Sequence, residues 1–237
     1  MLVRPHHLPQ GLNASEDRHM SDTDVWLPAG NFSEWLRAMR AALASRGGMD
    51  VACGDCRGCC VSSYYVKVRA HETGAASAIG EANLEPGPPG DPGSRLMGFR
   101  DNGHCLMLRE GNCSIYEHRP ETCRSYDCRV FTASGMDAGP DKPVINARVA
   151  SWRFDYASDR DREEHRAVTA AAAYLRQHPV RFPGGRVPSR PSEIAVLAVK
   201  AYEVFLDPPQ RDADIRAAMI RAIEEFDRHR GAPECAT

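Results

Sequence analysis

Four cysteines fall within the eight residues CGDCRGCC, at positions 53 to 60, and eight of the chain's nine cysteines lie between Cys53 and Cys128. Core packing scatters cysteines and does not gather them so tightly, although unpaired cysteine is often buried. Spacings of three, as in Cys53/Cys56 and Cys56/Cys59, let one tight turn aim two thiolates at a single centre while backbone amides donate to the sulfurs. Gly54 and Gly58 supply the backbone freedom of such a turn. Two chemistries use this geometry. Zinc takes four thiolates, commonly delivered as CxxC pairs, and eight cysteines make two such sites. An iron–sulfur cluster also takes four, and CxxCxxC delivers three at once.

The adjacent pair Cys59 and Cys60 narrows the arrangement. Neighbouring side chains in extended backbone point to opposite sides, so the pair is expected to serve two centres or one polynuclear site. The plainer alternative makes Cys60 a small buried residue at the start of a strand. Further along, Cys105 and Cys113 flank an expected hairpin, while Cys123 and Cys128 bracket a helical turn. Arg57, Arg109, Arg119, Arg124 and Arg129 lie near these cysteines and can offset the negative charge of thiolate sites, a solvated surface role being the alternative for each. His104 and His118 are read as supporting or surface residues, and Tyr116 and Tyr126 as packing against the site. The ninth cysteine, Cys235, lies apart from the cluster.

The elements that position these residues can be read from periodicity. NFSEWLRAMRAALASRGG, from Asn31, carries capping candidates, an apolar series Trp35, Leu36, Met39, Leu43 and a Gly47-Gly48 stop, so a helix delivers the chain to the cysteine knuckle. SSYYVKVRA (62–70) reads as a short strand, HETGAASAIGEANL (71–84) as a small helix and EPGPPGDPGS (85–94) as a stiff, structureless connector. HCLMLREGNCSIY is the hairpin, and Pro120 opens the turn PETCRSYDC. Beyond residue 150 the chain predicts three helices, over 160–178, 191–205 and 210–230. The first is alanine-rich, the second has Ser192 and Glu193 at its cap, and the third carries the stripe Ile215, Met219, Ile220, Ile223, Phe226. The fold class expected is α+β: a cysteine-rich metal-binding unit with a few short strands, packed with mostly helical N- and C-terminal segments. Residues 1–24 are expected to be a mobile tail and 25–230 one compact domain, with the cysteine core at 50–130 and the helical part at 150–230.

Composition limits the function classes. An apolar fraction of 42% and a charged fraction of 26% are ordinary for a folded protein. Lys+Arg 30 against Asp+Glu 32 gives no cationic field for nucleic acid. The scarcity of lysine beside arginine reads as genomic base-composition bias. The opening MLVRPHHLPQGLNASEDRHM has no apolar export core, and no run of eighteen apolar residues occurs, so neither export nor a membrane span is expected. The expected setting is a reducing cytoplasm, where clustered cysteines argue for metal or catalysis over disulfides.

Taken together, CGDCRGCC, Cys105, Cys113 and CSIYEHRPETCRSYDC resemble the YkgJ-type cysteine-cluster family, the CxxCxxCC or zinc- or iron-chelating domain, over roughly residues 50 to 130. The resemblance implies that Cys53, Cys56, Cys59, Cys60, Cys105, Cys113, Cys123 and Cys128 are the metal-binding set, with an iron–sulfur cluster or zinc as the cofactor. It implies no settled activity. A branch of flagellin lysine N-methylases looks similar around its cysteines, but this sequence has no GxGxxG loop after a strand and no CxxxCxxC spacing. Three functions are therefore carried forward. The first is a metal-binding protein in redox, sensing or metal handling. The second is a structural zinc module whose helical surface meets a protein partner, and the third an enzyme related to the methylases.

Overall fold

A computed structural model of the chain describes residues 26–44, 48, 49, 51, 54–89, 91–178, 187–209 and 211–228; the expected N-terminal tail, Cys53 and Cys235 lie outside the described residues. Strand β1 (Leu27–Asn31) leads directly into helix α1 (Phe32–Leu43). Asn31 ends the strand and caps the helix, its side chain accepting from the Glu34 amide at 3.1 Å. Phe32, Trp35, Leu36, Met39 and Ala42 are buried, the one-faced spacing that the sequence predicts.

The cysteine segment is built from small pieces. A 3-10 turn, Gly58–Val61, precedes β2 (Val66–Val68), α2 (Thr73–Ile79) and a second 3-10 turn at Glu81–Asn83. Gly80, at φ 84°, ends α2, which is why the small helix stops five residues short of its expected end. Strands β3 (Leu84–Pro86) and β4 (Arg95–Met97) join β2 in an antiparallel sheet ordered β2-β4-β3. The Pro/Gly-rich stretch is thus not wholly structureless. It contributes Glu85 and Pro86 to an edge strand, where a missing N–H is tolerated, and the Gly87 amide closes the loop on the Ser94 carbonyl at 2.9 Å.

The expected hairpin is present as β5 (Leu108–Arg109) and β6 (Asn112–Cys113). Its two connecting residues, Glu110 and Gly111, have φ 48° and 77°, the positive angles of a type I′ turn. A 3-10 turn at Tyr116–His118 and the short α3 (Glu121–Arg124) follow.

The remaining elements enclose α1. Helix α4 (Arg129–Ser134) ends at Gly135 in the left-handed conformation, and α5 (Pro143–Ser151) runs into β7 (Trp152–Asp155). Strand β7 pairs in parallel with β1, with a register shift where Gly30 takes φ 87°. Neither strand is foreseen from sequence. Helix α6 (Asp159–Gln177) opens with a Ser158/Asp161 capping box, and α7 (Pro191–Ala201) opens on its proline with no side-chain cap, so the expected Ser192–Glu193 cap is not made. A 3-10 turn at Tyr202–Phe205 leads toward α8 (Asp212–Arg228), whose buried residues are Met219 and Ile223. Short strands among helices give an α+β fold, as the sequence predicts.

Two apolar clusters organise the packing. One gathers α1, α4, α6 and α7 around Phe32, Phe131, Trp152 and Val168. The other is smaller: Val66, Val68, Ala75, Ile79, Met97, Met107 and Ile115, with Cys105, Cys113 and Cys123 packed against it.

Candidate metal centre

Seven of the eight expected ligand cysteines are described, all as thiols: Cys56, Cys59, Cys60, Cys105, Cys113, Cys123 and Cys128; Cys59 is exposed and the others half-buried. Their carriers are separate elements. Cys59 and Cys60 sit in the 3-10 turn, Cys113 in β6 and Cys123 in α3, while Cys128 immediately precedes α4. Backbone bonds stitch the carriers together. The Cys105 amide donates to the Cys60 carbonyl at 2.7 Å, and Arg57 donates to the Gly54 carbonyl at 2.9 Å, the Asn112 side chain at 3.1 Å and the Gly111 carbonyl. Arg57 therefore clamps the knuckle onto the hairpin tip.

The Cys59 and Cys60 sulfurs are 4.0 Å apart. The expectation that they point to opposite sides rested on extended backbone, and the turn is a 3-10 helix, where successive side chains are about 120° apart and can share a side. The pair is close enough for contact between two centres or for one metal.

Electrostatics show which thiols face one another. Hydrogen bonding with Cys59, followed by the Arg57 and Arg119 guanidiniums, lowers the Cys60 thiol to about 7 against the opposing effect of burial. Burial first, then the charges of Cys60 and Cys113, raises Cys105. Burial, followed by Cys105, Cys60 and Cys113, pushes Cys123 up to about 12. Cys105 thus feels the charges of Cys60 and Cys113, and Cys123 those of Cys105, Cys60 and Cys113.

The other described cysteines have different neighbours. Trp152 donates its indole N–H to the Cys128 sulfur at 3.3 Å, and the Gly58 amide donates to the Cys56 sulfur at 3.4 Å. Burial raises Tyr126, followed by its interaction with Tyr64, with the charges of Cys128 and Cys59 adding to the effect. The Tyr126 ring packs 5.7 Å from that of Tyr64, and its hydroxyl is buried. Asp127, between Tyr126 and Cys128, is fully buried and accepts from the Trp35 indole at 2.8 Å and from Arg129.

The sequence-predicted supporting residues divide. Arg57 and Arg119 act on Cys60, whereas Arg129 is turned to Asp127, Arg124 to the Arg119 carbonyl, and Arg109 is exposed. Tyr126 is at the site, but Tyr116 is exposed, with the Arg119 guanidinium 3.6 Å over its ring. His118 is exposed, and among the described residues no group of three or more His, Cys, Asp or Glu side chains stands ready to hold a metal ion. The donor set nevertheless fits thiophilic metals: thiols from separate segments, N–H donors already on two sulfurs, and nearby guanidiniums. Trp152 and Tyr64 are absent from the sequence-level reading. The alternation of Trp152 and Phe154 in WRFD was the available signal for β7, but nothing local ties that strand to Cys128.

No helix among the described residues is long and apolar enough to cross a membrane. Residues 52–142 match the model of a family, CxxCxxCC, described as "Putative zinc- or iron-chelating domain". No curated protein and no solved structure matches the chain.

Proposed function

We propose, from the match of residues 52–142 to the CxxCxxCC family model, that the protein binds metal through the thiolates of Cys53, Cys56, Cys59, Cys60, Cys105, Cys113, Cys123 and Cys128, as an iron–sulfur cluster in first place and as zinc otherwise. The observation that supports this reading is the packing of Cys105, Cys113 and Cys123, from separate segments, against one small apolar cluster, with the Cys105 amide bonded to the Cys60 carbonyl at 2.7 Å. Such convergence of thiols is unfavourable in the bare protein once they ionise, and a cation removes the penalty. The CxxCxxC spacing favours the cluster.

When bound, the metal supplies positive charge and, in a cluster, a site for one electron. The chain supplies the rest. Arg57 and Arg119 offset thiolate charge at Cys60, the Trp152 and Gly58 N–H groups do so at Cys128 and Cys56, and the apolar residues around Met97 and Met107 exclude water from the Cys123 side. A redox, sensing or metal-handling role in a reducing cytoplasm accords with this arrangement.

The test is analysis for iron, zinc and acid-labile sulfide in protein purified without oxygen, with its visible spectrum. Iron with sulfide and a charge-transfer absorption is expected. Colourless protein holding only zinc moves the reading to a structural module, and protein without metal overturns it. Cys56→Ser and Cys123→Ser are expected to lower bound metal while Cys235→Ser leaves it unchanged; equal loss in all three also overturns the assignment.

A further inference from the structure

A histidine with no part in the cysteine cluster stands where four elements meet. His165 lies near the start of α6, and its ring stacks on that of Phe32, the first residue of α1, with centroids 4.3 Å apart and planes at 16°. Phe154 of β7 presents its edge to the same ring at 5.8 Å, and the Tyr156 ring, in the link from β7 to α6, lies 5.7 Å away. The Tyr156 hydroxyl is 2.6 Å from His165 Nδ1. The Thr132 and Ala133 carbonyls of α4 act on the ring as well. One imidazole thus joins α1, α4, β7 and α6, and β7 is one of the two strands that fasten the ends of the cysteine-bearing stretch.

A neutral imidazole has one nitrogen that donates and one that accepts. Carbonyl acceptors on the α4 side call for the N–H at Nε2, which leaves Nδ1 to accept from the tyrosine hydroxyl. Protonation makes both nitrogens donors, so the hydroxyl must turn a lone pair to Nδ1 and send its own proton elsewhere. A charge then stands among the rings of Phe32 and Phe154. The α4 carbonyls and the Phe32 face offset part of that cost, but burial outweighs them and holds the ring below its ordinary value of 6.5. The charged groups on the surrounding elements are turned elsewhere. Arg162 of α6 lies over the Tyr156 ring at 4.9 Å, Asp161 takes its donors from Ser33 and Ser158, and Glu164 pairs with Arg160. Arg129 of α4 pairs with Asp127, while Glu34 of α1 and Arg153 and Asp155 of β7 are exposed.

We propose that His165 is a pH-sensitive latch: as a neutral ring it holds Tyr156 and the β7-to-α6 corner against Phe32, and on taking a proton it releases the hydroxyl and loosens that corner. Its contribution is complete above 6.5, the unfolded value, and is lost as the pH falls from there toward the lowered folded value, where the loss levels off. The latch operates whether or not the cysteines hold metal.

The experiment takes the full chain from about pH 8 to about pH 5, the range in which histidine titrates. Long-range proton–nitrogen NMR reads the His165 ring, assigned by its absence from His165→Phe, and hydrogen exchange reads backbone protection. Expected are an Nδ1 that accepts a hydrogen bond at the upper end, a titration midpoint below 6.5, and protection factors over residues 152–161 that fall by up to about tenfold per pH unit below 6.5. Tyr156→Phe removes the donor to the neutral ring and should raise the midpoint, which a merely structural hydroxyl would leave in place. His165→Phe keeps an aromatic ring on Phe32 and should abolish the extra loss of protection; any release of metal on acidification moves both proteins alike and cancels in the comparison. A midpoint at or above 6.5, or corner protection that falls equally in the parent protein and His165→Phe, would overturn the latch. If His165→Phe does not fold, the parent midpoint and its shift in Tyr156→Phe decide the question, and an unmoved midpoint overturns the proposal.

Discussion

Removing the Asp127 carboxylate should loosen the anchor on which Cys128 depends. The side chain is wholly inaccessible and that of Arg129 only 12% exposed, and the two are joined by a contact of 2.8 Å together with bonds at 2.9 and 3.0 Å from the guanidinium. Asp127 also accepts the Trp35 indole at 2.8 Å, and Arg129 reaches the Ala29 carbonyl at 3.0 Å, so the group ties α1, β1 and the start of α4. Asp127→Ala takes the carboxylate away from a buried guanidinium and the acceptor away from an indole N–H. Deleting one partner of a buried pair costs about 3–5 kcal/mol. For a chain of this size each kcal/mol moves the midpoint by roughly 2–4 °C, so a fall of about 6–20 °C is expected in thermal denaturation. The cause is tested by a double-mutant cycle with Arg129→Met. If the stranded charge dominates, the double variant is more stable than Asp127→Ala alone, with a coupling on the order of 2 kcal/mol. Strict additivity, or a fall under about 4 °C for Asp127→Ala, would refute the argument, since either shows that the guanidinium finds solvent at little cost.

Four further outcomes are expected. Trp152→Phe removes the N–H on Cys128 and should weaken metal binding by about 10-fold in chelator competition, as loss of a ligand's hydrogen-bond partner generally does. Glu72 accepts from the amides of Arg69 at 2.8 Å and Glu121 at 2.6 Å, so it fixes the start of the helix bearing Cys123. Glu72→Ala should cost about 1–3 kcal/mol in urea denaturation and lower the metal content. A Cβ on Gly87 would lie 2.0 Å from Ser94 Oγ and 2.6 Å from its carbonyl oxygen, so Gly87→Ala should destabilise by about 1–3 kcal/mol, read from the same denaturation curve. Donors from Ser33 and Ser158 hold the Asp161 carboxyl well below its ordinary value of 3.8. Its stabilisation is complete above that value and is lost as the pH falls through the depressed one; Asp161→Asn should lose stability at neutral pH and show a shallower acid limb, and parallel acid limbs would contradict this.

What the sequence disclosed follows from the range of the interactions involved. Helices α1 and α6 were legible because each carries its own cap and an apolar face repeating every three or four residues, signals contained within one segment. The β5–β6 hairpin was legible for the same reason, its turn lying between its strands. The β1–β7 pair was not, since LPAGN has no alternation and its partner lies more than a hundred residues away. The gathering of the cysteines along the chain was evident from spacing, but the Trp152 contact with Cys128 depends on how distant segments meet. The Cys59–Cys60 geometry was misjudged because local conformation was taken as extended where Gly58 begins a 3-10 turn.

The parallel pairing of Leu27–Asn31 with Trp152–Asp155 has a bearing on assembly. Every described cysteine lies between these two strands, so the metal-binding stretch is a chain loop whose ends are fastened by contacts that involve no metal. Closing a loop of this length from a free chain costs about 4 kcal/mol by the logarithmic scaling of closure entropy. With the strands and α1 and α6 already docked, that term is met before any ion arrives, and the chelate effect begins from gathered donors. Demetallation would then slacken the knuckle while its two ends stay fastened, leaving the protein able to take up an ion again without refolding from a free chain.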